Sequence, residues 1–154
     1  MDIITLTLNQ NIEIIIKLFM ALFLGTILGV ERAIVGKTAG MRTYGLVTMG
    51  AALFTIVGSL VAGGTSESLR LTGQIITGIG FVGAGLIFFN GEKINGVTTA
   101  VGIWVSAGIG MAIGYGFYML GVVATILALF AFTALWYVEN KLKKFALHEH
   151  EAEV

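Results

Sequence analysis

Between Gly73 and Trp104 the chain carries only two charges, Glu92 and Lys93, adjacent in a short polar link. Apolar runs without Asp, Glu, Lys, Arg or His lie on either side. The first, GQIITGIGFVGAGLIFFN, holds five glycines; the second opens Val97-Thr98-Thr99-Ala100. Runs of this length and composition have the bilayer as solvent, and a helix satisfies every backbone hydrogen bond within its own segment. The stretch therefore predicts two membrane-spanning helices folded back on each other, with small residues where they meet.

The whole chain agrees. Of 154 residues, 56% are hydrophobic and 12% charged, with mean hydropathy +0.94. Soluble domains carry about 25% charged residues. The zero net charge gives no support to nucleic-acid binding. With no Cys, disulfides, thiolate metal sites and thiol redox chemistry are excluded. With no Pro, helices must be broken by Gly and Asn. The length leaves no room for a separate enzymatic domain, so neither catalysis nor a cofactor is expected.

In chain order, spans are predicted at about 12–30, 44–62, 71–89, 97–114 and 117–138. The fold class is all-α: a polytopic membrane bundle of about five helices over residues 1–138, then a charged tail at 139–154. Residues 1–11 lack Lys and Arg, so the first run reads as a retained span rather than a signal peptide. Span three, about 19 residues, is roughly 28 Å long as a helix, close to the hydrocarbon thickness. Arg32, Lys37, Arg42, Lys93, Lys141, Lys143 and Lys144 fall on one side, and Lys17 and Arg70 on the other. That bias places the N-terminus outside and the C-terminus in the cytoplasm. Tyr115, Phe117 and Tyr118 would mark the outer interface, and Tyr44, Phe88, Phe89, Trp136 and Tyr137 the inner one.

Small residues are the candidate packing surface: Gly25 and Gly29 on span one, Gly78, Gly80, Gly83 and Gly85 on span three. On span four Gly102, Ser106, Gly110 and Gly114 recur every fourth residue, a stripe that lets another backbone approach. Gly80 and Ala84 are expected to form the matching notch, and the stripe is expected to serve assembly, with a dimer favoured.

Several patterns tempt and fail. Gly78, Gly80 and Gly83 spell G-x-G-x-x-G, but no strand precedes them and no acid follows at the right distance, so helix packing accounts for them better than a dinucleotide. Gly36-Lys37-Thr38 ends like a Walker A loop, yet Glu31 occupies the place of its first glycine. His148, Glu149, His150 and Glu151 read as a solvated tail, because nothing nearby would fix metal geometry.

What remains is a set of polar groups. Glu31, Arg32 and Arg42 are read either as positive-inside anchors or as a polar contact on the cytoplasmic rim, with Glu31 paired to an arginine and one guanidinium left for a phosphate or carboxylate. Arg70 and Gln74 are expected to form the outer contact. Gln74, Thr77, Thr98 and Thr99 are the intramembrane groups of interest, because an amide in lipid needs partners while Thr can bond back to its own helix. Trp104 is expected to fill space against glycines. Spans two to five carry no ionisable group at mid-depth, which weakens an ion-coupled transport reading.

These residues resemble the membrane domain of the MgtC/SapB family. The resemblance rests on Gly29-Val30-Glu31-Arg32; Ala39-Gly40-Met41-Arg42-Thr43 with Leu46-Val47 and Gly50-Ala51-Ala52; Arg70, Gln74 and residues 78–85; and Gly96-Val97-Thr98-Thr99-Ala100 with Trp104. Glu67-Ser68 stands where the family's Asp-Pro is usual, and Thr38 where a loop proline is common. The resemblance implies a multi-pass bacterial inner-membrane protein, linked to magnesium homeostasis, to growth at low magnesium, and to intracellular survival and virulence of pathogens. It further implies action on another membrane complex such as the F-type ATP synthase. The alternative is a small channel or transporter for a cation such as Mg2+ or another small solute.

Overall fold

The computed structural model describes residues 7–62 and 65–142. Five helices follow in order: α1 (Leu8–Ile34), α2 (Met41–Val61), α3 (Thr65–Ala84), α4 (Val97–Gly114) and α5 (Tyr118–Leu142). Four of them are long and apolar enough to cross a membrane; α3 has the length but not the apolar composition. The His148–Glu151 cluster lies outside the described residues.

Helix ends follow from local chemistry. Thr7 and Gln10 form a capping box at the start of α1. The helix runs through Glu31 and Arg32 instead of stopping there, and ends at Gly36 with φ +70°. The Lys37 N–H donates to the Arg32 carbonyl, and the Gly36 N–H to that of Ala33. This is a Schellman stop, and it gives the Walker-like glycine a structural role. Gly116, at φ +86°, ends α4 through the same pair of bonds.

Span three differs from expectation at both ends. The helix begins in the polar segment at Thr65 and stops at Ala84. Phe88–Asn90 and Lys93–Asn95 then form a small antiparallel hairpin, β1 and β2, pairing Phe88 with Asn95. Gly91 supplies a positive φ in the tight turn. The Asn-Gly-rich link is thus a hairpin rather than a loose hinge.

The core is a three-helix unit of α1, α2 and α4, with α3 and α5 at its flanks. Here too the expectation needs correction. The stripe on α4 does not meet a notch on α3; it packs against α2 within this chain. A Cβ at Gly110 would overlap the Thr48 carbonyl, and one at Gly114 would lie 2.9 Å from the Ala52 carbonyl. Gly25 and Gly29 admit Thr48 and the backbone of Met41 in the same way. By contrast, Gly78 and Gly80 have nothing within 4 Å, Gly85 meets only carbonyls of its own helix, and Gly83 touches Ala100. The physical reason is that α2 offers its backbone between Thr48 and Thr55, where small residues recur, whereas α3 meets α4 at Ala100 through Gly83 and not along the stripe. Tyr44, expected at an interface, is fully buried. Trp104 is 52% exposed on the outward face of α4, so it does not fill space in the core.

Gly110→Val should therefore destabilise the single chain, by roughly 1–3 kcal/mol for overpacking. Gly78→Ala, facing open space, should leave stability unchanged or raise it by about 0.5–1 kcal/mol. Thermal melts of the detergent-solubilised protein distinguish the two.

Candidate functional site

Most buried polar side chains of the bundle are spent within it. Thr48, Thr55, Ser106 and Thr125 each donate to the carbonyl four residues earlier. That bond satisfies a hydroxyl in an apolar interior without a partner from another helix. At the ends of the bundle the pattern changes.

At one end, Arg32 is only 4% exposed. Its Nε donates to the Glu31 carboxylate, and its guanidinium lies 3.9 Å from the ring centroid of Phe132. Phe132 sits in a π-helical turn of α5 at Ala131–Leu135. It meets Tyr44 edge-on, with ring centroids 6.5 Å apart. The Tyr44 hydroxyl donates at 3.4 Å to the Thr99 carbonyl. Gly102 makes the room: a Cβ there would overlap the Tyr44 hydroxyl and lie 2.8 Å from Phe132. A buried guanidinium is tolerable because one edge is ion-paired and one face covered by a ring.

Beside this cluster opens a cleft of about 440 Å³. Arg32, Lys37, Asn95, Thr98 and Thr99 give it a polar side, and Phe88, Ile94, Val97, Leu135 and Trp136 an apolar one. The α1–α2 link, the hairpin, the start of α4 and the end of α5 therefore share one end of the bundle. The first helical bond of α4 runs from the Ala100 N–H to the Gly96 carbonyl. The preceding amides belong to the open N-terminus of that helix.

The structure brings Arg32, Thr98 and Thr99 together, with Glu31 behind Arg32. It leaves Arg42 apart, exposed on the first turn of α2. The arginine paired to Glu31 is its neighbour Arg32. At the opposite end, Arg70 pairs with Glu67 rather than with Gln74. Arg70 hydrogen-bonds the Glu67 carboxyl and holds it below the usual carboxylate range. The Tyr115 hydroxyl there is 3.0 Å from Ser68 Oγ and also hydrogen-bonds Thr72, tying α4 to α3. That contact escaped sequence reading, although Ser68 and Thr72 share one helix face. Gln74 lines an outward groove of about 690 Å³ between α2 and α3, as the one polar side chain among apolar ones such as Leu46, Phe54 and Val82. Thr77 bonds back to the Gly73 carbonyl.

The MgtC family model matches residues 18–141. The chain belongs to the MgtC family. Among its relatives, the Escherichia coli (strain K12) protein named "Putative magnesium transporter YhiD" is 44% identical over 125 residues, covering 76% of this chain and 58% of that protein. "Protein MgtC" of Brucella abortus (strain 2308) is 43% identical over 106 residues, covering 69% of this chain and 44% of the relative. "Protein SrpB" of Synechococcus elongatus is 36% identical over 142 residues, covering 84% of this chain and 78% of the relative. The chain thus spans less than two thirds of the length of YhiD and MgtC. No solved structure matches it. The family match covers all five helices except the first turns of α1 and the last residue of α5, so the Arg32 cluster and the cleft lie inside the shared region.

Arg32→Met alone should cost about 3 kcal/mol, because it leaves the Glu31 carboxylate partly buried and unpaired. The double variant Glu31→Gln/Arg32→Met should recover much of that loss. A double-mutant cycle on melting temperature reads the coupling; additive losses would show that the pair does not act as a unit.

Proposed function

We propose that this MgtC-family membrane protein acts in magnesium-linked homeostasis in the bacterial inner membrane, by binding another membrane component rather than by catalysis. The observation that carries the reading is where the unused surface lies. Mid-bundle, α2 and α4 meet backbone to backbone, and the buried hydroxyls return to their own helices. On the outside, Gly73, Gly78 and Gly80 of α3 face open space, and Gln74 lies in an apolar groove. Small residues on an open helix face suit a partner helix, and an amide in lipid is worth most when a partner supplies its hydrogen bonds. A second copy of the chain, or a complex such as the F-type ATP synthase to which the family resemblance points, is the partner to test first. The N-terminus would be outside and the C-terminus cytoplasmic.

The second reading is transport. It is favoured by the name of the YhiD relative and by the position of Gln74, which a second copy would turn into the wall of a path. Glycine carbonyls and an amide are oxygen ligands of the kind Mg2+ accepts, although it gives up its water reluctantly.

Purified protein in liposomes loaded with a magnesium-sensitive dye separates these readings. The binding reading expects no flux above empty vesicles, and loss of partner co-purification in Gly78→Leu. Flux that disappears in Gln74→Ala would replace it with the transport reading.

A further inference from the structure

Five buried side chains of the described residues carry a hydroxyl on a Ser or Thr: Thr48, Thr55, Thr99, Ser106 and Thr125. Four of them donate back along their own helix. Thr99 does not. It stands in the first turn of α4, and the residue four places earlier, Asn95, belongs to the hairpin rather than to the helix. Thr99 is 4% exposed, and its side-chain oxygen has no hydrogen-bond partner among the described residues. No fully buried side-chain oxygen or nitrogen among those residues is left unpaired, so the sliver of Thr99 that remains open includes its hydroxyl. Thr99 lines the cleft beside Arg32.

Most of the other polar groups around that cleft prefer the same kind of guest. Gly96 starts α4 without a side-chain cap, so the helix presents open amides at Val97, Thr98 and Thr99 and the positive end of its dipole. Thr98 adds a second hydroxyl and Lys37 an ammonium group. The Arg32 guanidinium uses Nε on Glu31 and its face on Phe132, which leaves its terminal amino groups. Two acids are nearby: Glu31 is committed to Arg32, and Glu139, on the cleft wall, has a partner of its own. Hydroxyls, amides and cations around one space are donors for the several oxygens of a tetrahedral anion.

We infer that the cleft between the N-terminus of α4 and Arg32 binds the phosphate group of a ligand, with the Thr99 and Thr98 hydroxyls, the first amides of α4 and Lys37 as its donors. Two sources carry that chemistry: the headgroup of an anionic phospholipid, whose acyl chains would follow the wall of Phe88, Leu135 and Trp136, or free inorganic phosphate. The inference stands whether the protein regulates a partner or transports an ion.

The chain has two tryptophans. Trp136 is on the cleft wall, whereas Trp104 lines a separate groove. In full-length W104F protein in a non-ionic detergent, Trp136 is therefore the sole reporter. It is titrated with dihexanoyl phosphatidylglycerol, with dihexanoylglycerol, which lacks the phosphate, and with inorganic phosphate. A saturable change in Trp136 emission with the phosphatidylglycerol and not with the dihexanoylglycerol assigns a lipid headgroup. Saturation with inorganic phosphate assigns the free anion. In either case Lys37→Gln and Thr99→Val should each weaken binding about tenfold, the loss of one hydrogen bond to a charged group. Lys37 is exposed, so K37Q keeps the test valid even if a change at Thr99 disturbs folding. No saturable response to either phosphate compound, or equal responses to the lipid with and without phosphate, overturns the inference. So does binding that K37Q and T99V both leave unchanged.

Discussion

The contact on which this bundle depends is the backbone approach of α4 to α2. In lipid, helices gain little from leaving one apolar surface for another, so association rests on close van der Waals contact and a few hydrogen bonds. Gly110 and Gly114 remove the side chains that would hold the helices apart, and the Thr48 and Ala52 carbonyls occupy that space. Gly25 and Gly29 bring α1 onto α2 by the same means. With the three axes fixed, Tyr44 can be fully buried and still reach the start of α4.

That geometry also divides the polar groups into two kinds. Along the regular part of a helix, a buried hydroxyl has a carbonyl one turn back, and the local bond removes any need for an outside partner. Where regularity ends, the option disappears. Four residues before Thr99 the chain is hairpin rather than helix, and the π turn of α5 carries the Phe132 ring that covers Arg32. The chemistry therefore gathers at an end of the bundle, where a helix start, a π turn, a hairpin and a buried guanidinium meet at one cleft. The opposite end shows the milder form of the same effect, with Tyr115 held between Ser68 and Thr72.

Membership of the MgtC family sets this arrangement within a magnesium-related group of membrane proteins. The matched region covers the α1–α2–α4 core and the Arg32 end. YhiD and MgtC are longer than this chain, so the shared part is the membrane bundle rather than the whole of those relatives.

The sequence by itself determined the solvent and the helices. Long uncharged runs leave only a membrane bundle, and Gly-rich links mark the stops, so five helices were legible and the spans fell close to α1, α2, α4 and α5. The limits of α3 were less legible, because Phe88 and Phe89 continue the apolar run but pair in a hairpin, while the polar segment before Leu71 winds into helix. Tertiary structure alone decided which partner each small face meets. A stripe such as Gly102, Ser106, Gly110 and Gly114 identifies a face for close approach, but in a bilayer all apolar neighbours are chemically alike, so spacing cannot say that the neighbour is α2 and not α3. It decided likewise that Arg32 is buried and Arg42 exposed. Two arginines in one loop region look alike in sequence, and only the fold places a phenylalanine from α5, one hundred positions along the chain, over one of them.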